Sequence, residues 1–206
     1  MLGVCLLLGA CEAGRAAEPA VVLRSILTGG DRAAASPRIG QLDLLAAFEL
    51  RSPDPRFGGL SALLVEGDRL LALSDRGRLW SAEIRLDDAG RLTGLGDWRV
   101  QELRERGRRP DSEALARLPS GRIVVGLEGS HADAEIDPLP RGTATLRPRP
   151  FPMPLPGSPP NEAVEALADL PGGRLLAISE GLATGDDHVA VAWADGQRPT
   201  VLTYRA

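Results

Sequence analysis

Short apolar runs alternate with turn-forming residues along most of this chain, at intervals of about 8 to 15 positions. The runs extend over Leu42 to Leu50, Leu60 to Val65, Leu70 to Ser74, Leu79 to Leu86 and Leu95 to Leu103. Turn signals such as Asp87-Asp88-Ala89-Gly90 separate the runs, and no segment keeps a helical period with caps at both ends. The pattern therefore predicts an all-β fold.

Three stretches repeat one design at a spacing of about 52 residues. They are Leu60-Ser61-Ala62-Leu63 to Ser74-Asp75, Glu113-Ala114-Leu115 to Leu127-Glu128, and Glu165-Ala166-Leu167 to Ser179-Glu180. A period of this length with about four strands is typical of a β-propeller blade, which must stack on its neighbours to bury both faces. Only about three such periods lie between Asp43 and Arg205, whereas propellers usually have four to eight blades. We expect an incomplete ring, a piece of a longer product, or a ring completed by another copy.

The second and third repeats each begin with a predicted β-hairpin. Their turns, Pro119-Ser120-Gly121-Arg122 and Pro171-Gly172-Gly173-Arg174, carry Ser-Gly or Gly-Gly at the centre, which favours a two-residue connection with positive φ. Counting outward from these centres predicts that Glu113 faces Glu128 and that Glu165 faces Glu180. In the first repeat, the same count places Asp75 opposite Leu60 or Ser61.

Directly opposed carboxylates repel each other by up to about 1 kcal/mol, so a compensating interaction is expected. A bound cation, a nearby arginine or protonation of one carboxyl would provide it. The alternative is that these acids end their strands in solvent or pair with arginines, and a β-bulge would break the facing geometry.

The chain divides into a leader over residues 1–17, a tether or irregular arm over 18–40, and a propeller-like domain over 41–206. Residues Met1 to Ala10 are uncharged and run into Leu8-Gly9-Ala10-Cys11, which resembles a bacterial lipobox with lipidation at Cys11. No Lys or Arg precedes the apolar run, and the alternative is an ordinary signal cleaved near Ala16-Ala17. Both interpretations place the protein in the cell envelope, either as a periplasmic protein or as a lipoprotein that contacts the membrane only through its lipid anchor.

Proline is concentrated between Pro138 and Pro160. Because proline donates no ladder hydrogen bond, this segment is expected to be an extended loop or an edge strand, not a central strand.

Composition narrows the range of partners. The 206 residues carry a net charge of −4, and all 24 basic side chains are arginines, as in high-GC bacterial genomes. The arginines are scattered among acids except for the run Arg104 to Arg109, so nucleic-acid binding is not expected. We expect this run to be a solvated loop, and the alternative is an anion-binding patch. The two cysteines, Cys5 and Cys11, lie in the leader, which leaves the domain without a disulfide or thiolate metal site.

The ordered motifs resemble one family. They are Phe57-Gly58-Gly59-Leu60-Ser61, Leu73-Ser74-Asp75-Arg76-Gly77, Asp111-x-Glu113-Ala114-Leu115, Glu128-x-x-His131, Asn161, Glu165-Ala166-Leu167 and Ser179-Glu180. From Asp43 to Arg205 this order is similar to the bacterial phytase-like domain family, described as esterase-like activity of phytase. The chain departs from the family in the spacing Asn161 to Glu165, in Ala132 where a basic residue is usual, and in ending at Ala206 before a C-terminal strand.

The resemblance implies a β-propeller with a metal-dependent, phosphoesterase-like site for a small phosphorylated substrate. It implies a divalent cation, expected to be Ca²⁺, with ligands Asp111, Glu113, Glu128, Glu165 and Glu180. By the same resemblance the catalytic residues are Asp75, as ligand or general base, and Arg76 and His131, which would steady the phosphate. A histidine at a surface or strand end is the commoner case for His131.

Rival enzyme classes lack their motifs. The chain has no Gly-x-Ser-x-Gly elbow, no His-Glu-x-x-His and no phosphate-binding Gly-x-x-x-x-Gly-Lys-Ser/Thr loop, so a serine esterase is not expected. The alternatives to a phosphoesterase are a non-catalytic, calcium-stabilised binding or scaffold propeller, and an inactive truncated member of the family. An oligomer is expected if the ring is completed in trans.

Overall fold

The computed structural model describes residues 21–26, 38–43, 46–127, 130–134, 142–151, 164–184 and 187–205. Every regular element in these ranges is a β-strand. The strands are β1 Val22–Ser25, β2 Arg38–Ile39, β3 Leu42–Asp43, β4 Phe48–Arg51, β5 Leu60–Glu66, β6 Arg69–Ser74, β7 Arg78–Leu86, β8 Leu92–Glu105, β9 Ser112–Arg117, β10 Ile123–Leu127, β11 Ser130–Ala134, β12 Gly142–Pro150, β13 Ala166–Leu170, β14 Arg174–Thr184, β15 Asp187–Trp193 and β16 Thr200–Arg205. No helix long and apolar enough to cross a bilayer occurs in the described ranges.

Twelve of these strands form three successive four-stranded units, which we call blade 1 (β5–β8), blade 2 (β9–β12) and blade 3 (β13–β16). Within each blade, consecutive strands pair antiparallel in chain order. The first strand of blade 2, β9, contacts the first strands of both other blades. The prediction of an all-β fold built from propeller-like, four-stranded repeats is confirmed.

Strands in the middle of the blades are apolar at nearly every position because both of their faces are covered. In β10, Ile123 and Val125 belong to one core cluster, whereas Val124 points to the other side and belongs to a second cluster. The first cluster joins blades 1 and 2 and the second joins blades 2 and 3. The alternation of side chains along a strand thus lets each blade stack on two neighbours.

A third cluster covers the other face of blade 1. Trp80 and Trp98 pack there against Phe57, whose ring lies 5.1 Å and 5.7 Å from theirs in edge-on geometry. Val21 and Leu50, from the segment before blade 1, pack against the same cluster. The segment that leads into blade 1 therefore takes the place of a neighbouring blade over part of this face.

The folded region begins earlier than predicted. Strand β1 pairs with β4 over Val22↔Arg51 to Ser25↔Phe48, so part of the predicted irregular arm, 18–40, is a strand. The single strand predicted from Leu42 to Leu50 is instead two strands, β3 and β4. Strand β1 is held by its backbone pairing with β4, and its four residues show no apolar alternation that would have predicted a strand.

The proline-rich segment contributes β12, which lies between β8 and β11 in an eight-stranded sheet. Residues 142–146 pair in parallel with β8, and residues 147–150 pair antiparallel with β11. Among the residues that the structure describes, each half of β12 pairs on one side only, and Pro148 and Pro150 fall in the half that does not pair with β8. The expectation that this segment is an extended loop or an edge strand is therefore wrong over 142–150, where β12 is internal in the sheet order.

The two hairpin turns have a different length from the prediction. Both loops contain three residues, Pro119-Ser120-Gly121 and Pro171-Gly172-Gly173, because Leu118 bonds Arg122 across the first and Leu170 pairs with Arg174 across the second. Gly121 and Gly173 close them at φ 84° and 71°, the left-handed residue that a three-residue hairpin needs. The register is consequently one residue away from the predicted one.

Candidate functional site

The ends of the blades at which β5, β9 and β13 begin carry most of the predicted site residues; we call this the acidic end. The turn after β6 and the residue that opens β9 are tied together there. The Ser112 hydroxyl donates to Ser74 O at 2.7 Å and accepts from Gly77 N at 3.2 Å, and Ser112 is fully buried. Ser61 Oγ in turn donates to Ser112 O at 2.7 Å. These bonds fix the turn that holds Asp75 and Arg76 against blade 2.

Asp75 is the acid of this end that has the most contacts described below. Its backbone N–H donates to Gly59 O at 2.8 Å, and its Oδ1 is buried without a hydrogen-bond partner. Arg76 is a cationic neighbour, with Nε 3.9 Å from Oδ1 and a side chain that is 73% exposed. The Asp75 side chain as a whole is 44% exposed, and an ion or a water is the usual explanation for a covered carboxylate oxygen that lacks a hydrogen bond.

Gly59 leaves the space that the Asp75 carboxylate occupies. Its φ is +58°, and a Cβ built on it would lie 2.4 Å from Asp75 Oδ1. Any other residue at 59 would therefore displace the carboxylate, which gives a physical reason for the glycine in Phe57-Gly58-Gly59. Asp75 thus lies opposite Gly59, and not opposite Leu60 or Ser61 as predicted, because a register shift at Ser61 leaves Leu60 paired with Ser74.

The predicted facing of Glu113 and Glu128 is not formed as expected. A register shift beside Gly126 pairs Leu127 with Ser112 and leaves Glu113 at the bulge. Glu128 lies outside the described residues. The bulge at Glu113 and the one at Ser61 are at equivalent points of their repeats, so the bulge belongs to the repeat itself.

The third repeat shows the same one-residue offset. Its printed pairs run from Ala166↔Ile178 to Leu170↔Arg174, and the Glu165 N–H donates to Ile178 O at 2.9 Å. Glu165 is exposed at the start of β13. Glu180 lies in β14, but its side chain is not among those described.

The structure therefore brings Asp75, Arg76, Asp111 and Glu113 to the acidic end around Ser112, with Asp111 exposed and Glu113 half-buried. Glu165 opens the adjacent strand β13, which contacts β9. Within the described part of the chain, no three acidic, histidine or cysteine side chains come close enough to hold a metal ion. Cys11 lies outside the described residues.

His131 lies in a different environment from the one expected of a surface histidine. It is 7% exposed on β11, paired with Gly126, and its ring lies 5.2 Å from that of Phe151 and 5.4 Å from that of Trp193. Phe151 and Trp193 also contact each other edge-on at 5.6 Å. The imidazole is thus part of the packing between blades 2 and 3.

A group of charged residues beside the acidic end was predicted only in part: Arg104 and Arg109 belong to the run expected to be a solvated loop, but Arg104 lies in β8 and both are near Glu102. Arg78 opens β7 and pairs across the ladder with Glu102 of β8. The Glu102 carboxylate lies close to three guanidinium groups, those of Arg78, Arg104 and Arg109. Arg104 bonds its Oε2, whereas Arg78 Nε and Arg109 Nη2 lie 3.7 Å and 4.0 Å from its Oε1. Burial lowers the pKa of the Arg78 guanidinium, and the charge of nearby Arg109 acts in the same direction. The partners are 24 positions apart, so only the β7–β8 register could have revealed them.

The family of the chain follows from comparisons with known proteins. A family model for the phytase-like family, described as esterase-like activity of phytase, matches residues 55–206. The chain belongs to this family. A search of curated proteins finds no match. Among solved structures, a glutaminyl cyclase from Myxococcus xanthus is similar at a TM-score of 0.38 and 16% identity, over 66% of this chain and 56% of that chain.

Proposed function

We propose that this chain is a divalent-cation-dependent hydrolase of small phosphomonoesters, with its site at the acidic end. Membership of the phytase-like family supports the reaction class. The observation that supports the location is Asp75 Oδ1, a buried carboxylate oxygen that lacks a hydrogen bond. We propose Ca²⁺ as the cation because carboxylate oxygens are the ligands it prefers.

The carboxylate oxygens of the acidic end are the kind of ligand that a hard cation such as Ca²⁺ prefers. Asp75 offers one oxygen without a hydrogen bond, and Asp111, Glu113 and Glu165 are the other acids near the first strands of the blades. We propose that Glu128 and Glu180, which occupy equivalent positions of the second and third sequence repeats, complete the set. A cation bound there would neutralise phosphate charge and make a bound water more acidic.

Other residues of the chain position the Asp75 carboxylate and the anionic substrate. Ser112 holds the turn of Asp75 against blade 2 through two buried hydrogen bonds, so the carboxylate keeps its place when solvent competes for it. Arg76 is exposed beside Asp75 and is free to contact an anionic substrate from the solvent side. In this proposal Asp75 is a cation ligand or general base, and His131 acts as a packing residue that supports blade 2 at its junction with blade 3.

The test is hydrolysis of a generic phosphomonoester by the full chain in calcium and in chelator. We expect turnover that chelation abolishes and that Glu113→Gln reduces at least about tenfold. The control is Glu83→Gln, since Glu83 pairs with Arg69 at the opposite end of blade 1. Calcium-dependent melting without turnover would instead support a non-catalytic scaffold propeller, and loss of activity in both variants alike would contradict the location.

We also propose that the protein resides in the cell envelope and is anchored by a lipid on Cys11. The support is the lipobox-like Leu8-Gly9-Ala10-Cys11. Labelled fatty acid should be incorporated into the expressed chain and should be lost in Cys11→Ala. Incorporation that is unchanged in Cys11→Ala would contradict this proposal.

A further inference from the structure

The three arginines that converge on Glu102 carry more positive charge than their surroundings neutralise. Glu102 is the acid they share, and its Oε2 is already hydrogen-bonded by Arg104. Arg78 and Arg109 lie 3.7 Å and 4.0 Å from its Oε1, both beyond hydrogen-bond distance. One carboxylate thus faces three guanidinium groups, two of which it does not bond.

The neighbouring acid does not remove this excess. Asp54 binds the guanidinium of Arg56 with Oδ2 at 2.7 Å from Nη2, and so neutralises a fourth arginine that lies close to Arg78. The link from that segment to Arg78 is a backbone one, since Arg78 Nη1 donates to Arg56 O at 3.3 Å. Arg78, Arg104 and Arg109 therefore share the single carboxylate of Glu102, which leaves this group with a net positive charge.

Arg78 is the unusual member because it is buried. Its side chain is 8% exposed, and its Nε is buried without a hydrogen-bond partner. The guanidinium makes a hydrogen bond to Arg56 O at 3.3 Å and lies 3.7 Å from Glu102, so a further anion in contact with it would offset more of the cost of its burial. Arg109, by contrast, is 47% exposed and Arg76 is 73% exposed, so the group opens from a buried base to solvent.

The backbone holds these arginines in place. Gly77, between Arg76 and Arg78, has φ +65°, and a Cβ on it would lie 2.4 Å from Pro110 Cδ. Pro110 therefore packs directly on Gly77 and brings Arg109 to the Arg78 strand. Leu103 N donates to Gly77 O at 2.7 Å and closes the same turn against β8.

We propose that Arg78 and Arg109, with Arg76 at the rim, bind a tetrahedral oxyanion, the phosphoryl group of the substrate. This inference rests on the proposed function, because it assigns the substrate phosphate to the arginines that flank the turn holding Asp75. Guanidinium groups offer paired N–H donors that match oxyanion geometry, and two of them around one anion would share its charge. Glu102 then serves to orient the arginines.

The experiment measures binding of inorganic phosphate to the full chain by calorimetry in chelator, at constant ionic strength set with chloride. We expect phosphate binding by the wild type and an affinity at least about tenfold lower in Arg109→Gln, from the loss of one charged contact. Arg109 is tested before Arg78 because Arg109 is half-exposed and its substitution leaves the core intact. Arg91→Gln, in the exposed turn between β7 and β8, is the charge-matched control and should bind like the wild type.

The outcomes separate this inference from the proposed function. No phosphate binding above chloride, or equal losses in Arg109→Gln and Arg91→Gln, would overturn the oxyanion site even if the chain hydrolyses phosphomonoesters. Binding that depends on Arg109 would support the site even if no turnover is found. Calcium-dependent melting should be unchanged in Arg109→Gln, since this side chain is not among the proposed cation ligands.

Discussion

The close approach of Gly59 to Asp75 allows the proposed cation site to be perturbed without touching any acid. Gly59 has φ +58°, and an added Cβ would lie 2.4 Å from Asp75 Oδ1 and 2.8 Å from its Cγ. In Gly59→Ala the carboxylate must therefore move. Because the obstructing atoms are the end of a side chain, we expect Asp75 to rotate away while the fold is retained.

A matched control lies in the same blade. Gly67 has φ +59°, and nothing lies within 4 Å of a Cβ built on it. Both alanine variants should lose roughly 1–2 kcal/mol from placing an L-residue in left-handed backbone. Only Gly59→Ala displaces Asp75, so the difference between the two variants isolates the carboxylate.

The assay is urea denaturation of both variants and the wild type in chelator and in calcium. At a calcium concentration 100 times the dissociation constant, bound cation stabilises the native state by about 2.7 kcal/mol. A hundredfold weaker site in Gly59→Ala would leave about 0.4 kcal/mol of this gain, whereas Gly67→Ala should keep it all. Retention of the full calcium gain in Gly59→Ala would refute the assignment of Asp75 as a ligand.

Two further perturbations test the surroundings of the site. Ser112→Ala removes two buried hydrogen bonds, one of them from Gly77, and should lower the free energy of unfolding by about 2 kcal/mol. The control Ser120→Ala, in an exposed turn, should change it by less than about 0.5 kcal/mol. Equal effects of the two substitutions in urea denaturation would contradict the role of Ser112. The hydrogen bond from Arg56 lowers the pKa of the Asp54 carboxyl, so its stabilisation is present above the unfolded pKa of about 3.9 and is lost as pH falls through the lower folded pKa. Asp54→Asn should therefore lower stability at pH 7 and reduce its decline in acid, and an unchanged decline would show that another group is responsible.

The strands and repeats could be predicted because each blade buries both faces of its middle strands. Apolar runs such as Leu70 to Ser74 then mark the strands directly, and their recurrence reveals the repeat. Strand β1 was missed because its pairing with β4 depends on backbone hydrogen bonds between segments far apart in sequence. The strand potential of β12 was underestimated because its prolines occupy only the half that pairs with β11.

The site was predicted only in part because register depends on turn geometry. A Ser-Gly pair fits both a two-residue turn and a three-residue turn that ends in left-handed glycine, and the chain adopts the latter at Gly121. That difference of one residue, with the bulge at Glu113, removes the expected facing of acids. The run Arg104 to Arg109 was visible in the sequence, but the pairing of Arg78 with Glu102 depends on the β7–β8 register and was not.

Direct calcium binding by the full chain tests the central claim, that the acidic end is a cation site built on Asp75. Calorimetry should show calcium binding by the wild type, binding at least about tenfold weaker in Asp75→Asn, and unchanged binding in Asp68→Asn, an exposed acid in the turn between β5 and β6. Binding of equal affinity in Asp75→Asn and the wild type, or no calcium binding at all, would contradict the account.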